Sequence, residues 1–386
     1  MLPFPVEFFF FALTLAGVAF FHQRNFEIAL AGLTLIALYK VSMLGFDLLP
    51  HLRHEAPLLL NLLGLLLGFA ILAKVFEQSR VPDLLPHWLP DDWRGGFLLL
   101  VMVAVISSFL DNIAAAMIGG VVARRIFQGR VMVGYLAAIV AASNAGGAGS
   151  VVGDTTTTMM WIAGVPAIHV ADAFIASVVA VAFSGVIAAH QQHAYHPIRK
   201  DWPRDHHVDW MRLAVVGLII AGAIAANVAF DFPAVGVWAA ILLGAFIRPA
   251  PWGEARHALK GSLFLIFLVT AASLMPVEKL PDASVHTAFG LGFVSAVFDN
   301  IPLTKLALDQ GGYDWGMLAF AVGFGGSMIW FGSSAGVAIT NEFDEAKDTV
   351  RWIKESWHVA VAYVLGFWML YLVLGWHPDL LLRAGG

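Results

Sequence analysis

SSFLDNIAAAMIGG, residues 107–120, places an Asp-Asn pair in the middle of an apolar run that extends from 96 to 126. A bilayer core about 30 Å thick needs roughly 20 apolar residues at 1.5 Å rise each, and the arm on either side of Asp111 falls short of that. The run therefore reads as a re-entrant hairpin. A polar, non-helical tip at membrane depth is tolerated only where it is buried in protein or lines a watery cavity. SAVFDNIPLTKLAL, 295–308, repeats the pattern inside a second run, 284–309, sharing a Ser, a Phe near the tip and Asp-Asn-Ile. The alternative for each run is one kinked spanning helix, and charge placement decides between them.

Ten further apolar stretches have spanning character: 4–21, 27–49, 56–76, 131–163, 170–190, 212–230, 234–249, 260–277, 315–340 and 357–376. With both Asp-Asn runs as hairpins, 17 of the 22 basic residues fall on one side; Lys40, Arg53, Lys279, Lys305 and Arg383 fall on the other. The positive-inside rule makes the first side cytoplasmic and both termini external, that is periplasmic for an inner-membrane protein. Turning either hairpin into a span scrambles this segregation. The N-terminal MLPFPVEFFFFALTLAGVAFF lacks a positive n-region and a small-residue cleavage site, so it reads as a retained first span.

Composition agrees. The 386 residues are 59% hydrophobic and 13% charged, with mean hydropathy +0.78, above the ~45–50% apolar content of soluble domains. The net charge of -5 comes with no basic block, which excludes nucleic acid as a partner. No Cys is present, so disulfides, thiolate metal sites and cysteine nucleophiles are excluded. The lipid bilayer and small inorganic ions remain as partners, with no cofactor called for.

The most polar loop, HQQHAYHPIRKDWPRDHHVDW at 190–210, divides the chain into 1–190, a cytoplasmic linker at 191–211, and 212–386. Five spans and one hairpin lie in each part, and an odd number per part forces the second to enter the membrane upside down. The expected fold is all-α and polytopic: ten transmembrane helices plus two re-entrant hairpins in two inverted-topology repeats.

A second pair of motifs strengthens the repeat. GGAGSVVGDTT at 146–156 corresponds to GGSMIWFGSSA at 325–335, so Gly146, Gly147 and Gly153 pair with Gly325, Gly326 and Gly332. Glycine is costly in a helix interior and useful where carbonyls must turn toward a ligand, so these stretches read as unwound backbone inside spans four and nine. Close packing by small residues is the other reading. Oxygen-bearing side chains follow the glycines: Asp154, Thr155, Thr156, Thr157 and Thr158 in one half, Ser333 and Ser334 in the other.

A carboxylate at membrane depth costs at least ~2.5–3.5 kcal/mol, so Asp111 and Asp299 need compensation. Each can cap the second hairpin arm by accepting free backbone N–H groups, and capping and ion coordination can coexist. Asn112 and Asn300 have amide oxygens to orient or coordinate. Hard cations such as Na⁺ or Li⁺ select carboxylate, carbonyl and hydroxyl oxygen, which makes Asp111, Asp154 and Asp299 the candidate metal ligands. These are also the acidic residues the pattern places inside spans or hairpins. Burial favours the protonated form of a carboxyl and a bound cation the ionised form, so proton and metal ion compete at one group, and competition yields exchange.

Other residues read more plainly. Lys305 is expected to snorkel outward from its hairpin end. His190, His193, His196, His206 and His207 are expected in a solvated loop, a pH-sensing role being the sharper alternative. The Trp residues near span ends form an aromatic belt.

In NAGGAGSVVGDTTTTMMWI (144–162), DNIPL (299–303) and GGSMIWFGSSAGVA (325–338) the chain resembles the ion transporter superfamily, and within it the NhaD-type sodium/proton antiporters. The likeness covers about residues 96–340. It implies a homodimer in which hairpins and unwound helices form a transport domain moving past a fixed scaffold in an elevator motion. It also implies that Asp111, Asn112, Asp154, Thr155, Asp299, Asn300, Ser333 and Ser334 surround the ion. Where the antiporter pattern carries threonines after the first Asp-Asn, this chain has Ala114, Ala115 and Ala116. Two other classes stay in view. An anion or metalloid carrier of the same superfamily, for arsenite or dicarboxylates, would use helix N-termini. An intramembrane hydrolase would use Asp111 and Asp299 as its carboxylate pair.

Overall fold

A computed structural model describes residues 5–21, 24–199 and 207–378, and its described part is all-helical. The helices are α1 Val6–Phe20, α2 Asn25–Leu44, α3 Leu48–Gln78, α4 Val81–Trp88, α5 Trp93–Ser107, α6 Asn112–Ile126, α7 Val133–Ala148, α8 Thr155–Ile162, α9 Ala167–Ala171 and α10 Ala173–Tyr195. After the linker come α11 Trp210–Phe230, α12 Pro233–Ala245, α13 Trp252–Ser273, α14 Val285–Ser295, α15 Asn300–Gln310, α16 Trp315–Gly325, α17 Ser334–Glu342, α18 Thr349–Glu355 and α19 Trp357–Leu374. Among the described residues six helices are long and apolar enough to cross a membrane: α2, α3, the α9–α10 segment, α11, α13 and α19. The chain is a multi-pass membrane protein.

Burial separates an inner from an outer set. Every residue of α7 and of α16 is buried. Such helices must be apolar all round, and both are rich in Gly and Ala. Lipid tails are as apolar as leucine, so helices in a membrane associate through close packing, which small residues permit. Gly146 meets α5 so tightly that an added Cβ would lie 1.9 Å from the Ala104 carbonyl oxygen, and Gly325 meets α14 with the Gly292 oxygen at 2.4 Å. In contrast, α2, α11 and α12 leave large side chains such as Leu38, Met43, Val228, Leu242 and Leu243 exposed, as suits a lipid-facing surface.

Helix breaks fall where the sequence motifs lie. Residues 108–111 separate α5 from α6, and 296–299 separate α14 from α15. Residues 149–154 separate α7 from α8, and 326–333 separate α16 from α17. Several expectations need correction. The linker is shorter than 191–211, because α10 continues to Tyr195 and α11 begins at Trp210. His190 and His193 are therefore helical, with His190 stacked on Trp93, and His196 is buried. His206, Lys200, Arg204 and Arg383 lie outside the described residues. Short helices α4 and α18 had no span-length signal to reveal them.

Lys305 is not at the surface. Its Nζ lies 2.6 Å from Asp309 Oδ1 and 2.9 Å from Glu55 Oε2, and its side chain is 1% exposed. The physical reason is that α3 starts at Leu48, well before the expected span at 56, and so carries Glu55 into the protein as a counter-charge. Buried acidic residues among the described ones thus include Glu55, Glu7 and Asp314 besides Asp154, whereas Asp111 and Asp299 are half-buried.

Candidate functional site

Four helices begin at the motif residues, and each begins with a side-chain cap. Asp111 Oδ1 accepts from Ile113 N at 3.2 Å at the start of α6, and Asp299 Oδ1 from Ile301 N at 2.9 Å at the start of α15. Their backbones match, with φ/ψ of -51/138 and -54/135. Asp154 Oδ1 accepts from Thr156 N at 3.0 Å at the start of α8, and Ser333 Oγ from Gly336 N at 3.3 Å at the start of α17. Again the backbones match, -146/143 against -144/153. Capping satisfies N–H groups that helix starts leave free, and all four starts carry the positive end of a helix dipole.

The contacts that hold the tips recur in the same way. Ser107 Oγ donates to the Ser143 carbonyl at 2.6 Å, anchoring the end of α5 to α7. Ser295 Oγ donates to the Val322 carbonyl at 2.6 Å, anchoring the end of α14 to α16. A Cβ on Gly147 would meet the Gly153 oxygen and Asp154 Cβ; one on Gly326 would meet the Gly332 oxygen and Ser333 Cβ. Gly146, Gly147 and Gly325 lie in the last turns of their helices, whereas Gly153, Gly326 and Gly332 belong to the breaks or their edges.

Asp111 and Asp299 come together. Both are half-buried and both line one cavity of about 430 Å³, with Ser333, Ser334, Ile113, Ala114 and Val337 from the motif helices and apolar residues of α1, α3 and α13. Asp111 and Asp299 are the charged groups on its wall among the described residues. Asp154 sits behind that wall. It is 3% exposed, and its Oδ2, with no partner in hydrogen-bonding geometry among the described residues, faces α16, 3.5 Å from where a Cβ on Gly323 would be. Thr155 is half-buried beside it. Thr157 and Thr158 are committed elsewhere: their hydroxyls donate to the carbonyls of Ser150, Val151 and Asp154, satisfying the non-helical backbone that a membrane interior cannot leave bare.

Asn144 is the residue that sequence reasoning passed over. Fully buried in α7, it accepts at Oδ1 from Asn112 Nδ2 at 3.0 Å and donates from Nδ2 to Ser327 Oγ at 2.9 Å and Ser333 Oγ at 3.1 Å. One amide thus joins the first tip to the second break. Its signal was present, an isolated Asn opening the Gly-rich string in an otherwise apolar helix. Asn300, its tip's counterpart of Asn112, is also buried.

This arrangement can be set against known proteins. Residues 18–325 match the family described as CitMHS: Citrate transporter. The chain belongs to this family. The family is described as one of transporters. The CitMHS chain is also similar to "Sodium/proton antiporter 1" of Arabidopsis thaliana, 25% identical over 386 residues, covering 85% of this chain and 65% of that one. It is 26% identical over 284 residues to "Sodium/proton antiporter 2" of the same plant, covering 60% and 66%. "Na(+)/H(+) antiporter NhaD" of Vibrio parahaemolyticus is 27% identical over 373 residues, covering 77% and 88%. The chain therefore spans just under two thirds of the length of the two plant relatives it matches.

Proposed function

We propose that the protein exchanges Na⁺ or Li⁺ for protons across the inner membrane. The observation that carries this reading is the charge of the cavity: two carboxylates, Asp111 and Asp299, with no basic side chain on the wall among the described residues. Such a wall attracts a small cation and repels a carboxylate anion. Burial favours protonation of these groups and a bound metal ion favours ionisation, so each ion displaces the other. Asp154, Thr155, Ser333 and Ser334 supply further oxygens at or behind the wall, and Asn112 and Asn300 orient the tips. The names of the three relatives agree with cation exchange.

In the same reading, residues 1–190 and 212–386 are inverted repeats. The recurring caps and anchors support this, and the two Asp-Asn runs are then re-entrant hairpins. Movement of the hairpins past α3 and α13 would carry the site across the membrane as an elevator, in a homodimer with both termini periplasmic.

Sealed vesicles test the proposal. A proton gradient is imposed, Na⁺, Li⁺, K⁺, arsenite, succinate or citrate is added in turn, and internal pH is followed. Dissipation by Na⁺ or Li⁺ that disappears in Asp111→Asn and in Asp299→Asn is the expected result. Uptake of citrate, succinate or arsenite without any cation response would replace it by an anion or metalloid carrier, whose substrate would meet the four helix N-termini instead.

A further inference from the structure

Glu55, Lys305 and Asp309 form an ion triad, with Glu55 and Lys305 buried and Asp309 half-buried, that the site above does not use. The Lys305–Asp309 pair joins residues four apart on α15, whereas the Lys305–Glu55 pair crosses from α15 to α3. Its position along the bundle is informative. The cavity wall includes Leu66, Phe69, Ala70 and Ala73 on α3 and extends to Ala19 at the end of α1, Asn25 at the start of α2 and Ala258 in the second turn of α13, and the mouth is assigned to that end on this basis. Glu55 precedes Ala70 by 15 residues, which is about 22 Å along a helix. At Glu55's end, His51 Nε2 meets Ser273 Oγ at the far end of α13, 2.9 Å away, and Lys40 Nζ donates to the Leu274 carbonyl at 2.6 Å. Asp299, at the start of α15, stands between the mouth and the triad.

We propose that the Glu55–Lys305 ion pair is a latch that holds α15 against α3 on the side away from the mouth, and that Lys305 is thereby a positioning residue for Asp299. The inference rests on the transporter reading, since a carrier that opens alternately must keep one side shut while the other is open. The second carboxylate is what makes such a latch reversible. Breaking a buried ion pair normally strands an uncompensated charge at high cost. Here Lys305 keeps Asp309 as partner when Glu55 lets go, because both ride on α15.

The same geometry supplies a charge-matched control. Glu55→Gln removes the bond between helices and leaves Lys305 paired; Asp309→Asn removes the same charge and leaves the latch in place. The chain has no cysteine, so Ala70→Cys on the cavity wall is a unique reporter. The full-length reporter protein in lipid nanodiscs, without Na⁺ or Li⁺, is labelled with a water-soluble maleimide. Release of the latch lets the mouth close, so Glu55→Gln is expected to slow labelling about fivefold, and Asp309→Asn to leave it unchanged. Glu55→Asp should restore most of the wild-type rate. Equal labelling of Glu55→Gln and wild type, or equal slowing by Glu55→Gln and Asp309→Asn, would overturn the latch. Labelling does not depend on transport, so a vesicle assay with no cation response would refute the exchange reading while leaving this result to be judged by itself.

Discussion

Gly146→Ala is the sharpest perturbation of the tip geometry. A Cβ there would lie 1.9 Å from the Ala104 carbonyl oxygen and 2.7 Å from its carbon, where ordinary contact begins at 3.4 Å. Both atoms are backbone, so no side chain can rotate away, and α5 must move off α7 by about 1.5 Å. That separation strains the Ser107–Ser143 and Ser108–Gly146 anchors and displaces the tip that carries Asp111. Overpacking of this kind costs about 1–3 kcal/mol, read as a lowered unfolding temperature of the purified protein. Gly217→Ala is the control: the residue is in α11 with nothing within 4 Å of an added Cβ, so the better helix former should stabilise by about 1 kcal/mol at most. Vesicle exchange should fall sharply in Gly146→Ala and be unaffected in Gly217→Ala. If Gly146→Ala unfolds at the wild-type temperature and exchanges at the wild-type rate, the close approach of α5 and α7 is not what holds the tip.

Further outcomes are expected. Asn144→Ala leaves the amide of Asn112 and the hydroxyls of Ser327 and Ser333 without a shared partner; at about 1–3 kcal/mol for each buried group left unsatisfied, thermal unfolding should shift down more than in Gly146→Ala, and an unchanged curve would contradict the bridge. Gly323→Ser adds a hydroxyl beside Asp154 Oδ2 with a tight 3.3 Å contact to Ala148 Cβ that a shift of a few tenths of an ångström relieves; it should fold with a small loss of stability yet slow exchange about tenfold, for a bias of about 1.4 kcal/mol, and an unaltered rate would remove Asp154 from the cycle. At the linker, the Arg248 guanidinium hydrogen-bonded to Asp209 holds that carboxyl below its ordinary range, with Arg212 assisting. A depressed value means the contact is complete above the unfolded pKa and lost only as pH falls through the folded one. Protection of the Met211 and Arg212 amides, which Asp209 caps, should then be constant from pH 8 to about 5 in hydrogen exchange, and loss of protection within that window would be the contrary result.

Much of this was legible in the sequence because the interruptions are chemically loud. Asp-Asn inside an apolar run and paired glycines before Asp154 or Ser333 mark breaks that a membrane tolerates only for cause, and the breaks fall there. What periodicity could not give was partnership between distant residues. Lys305 looked like a residue free to reach outward, since its counter-charge, Glu55, lies 250 positions earlier on a helix whose start the hydropathy profile placed too late. Asn144 was hidden for a similar reason. Its importance lies in whom it meets, and Ser327 and Ser333 come from the far side of the linker. That the hydroxyls of Thr157 and Thr158 are engaged by the carbonyls of Ser150, Val151 and Asp154 was equally out of reach, because composition shows oxygens without saying which carbonyls already engage them.

The Asn144 bridge has a consequence for how the polypeptide is made. Ser327 lies 183 residues downstream and Ser333 189, so at roughly 5–20 residues per second a ribosome delivers these partners about 10 to 40 s after the asparagine. Through that interval the early segments sit in lipid with an amide whose final acceptors are not yet synthesised. Assembly of this centre is accordingly post-translational with respect to the first half, and a truncated chain ending at the linker cannot be expected to hold its own native core.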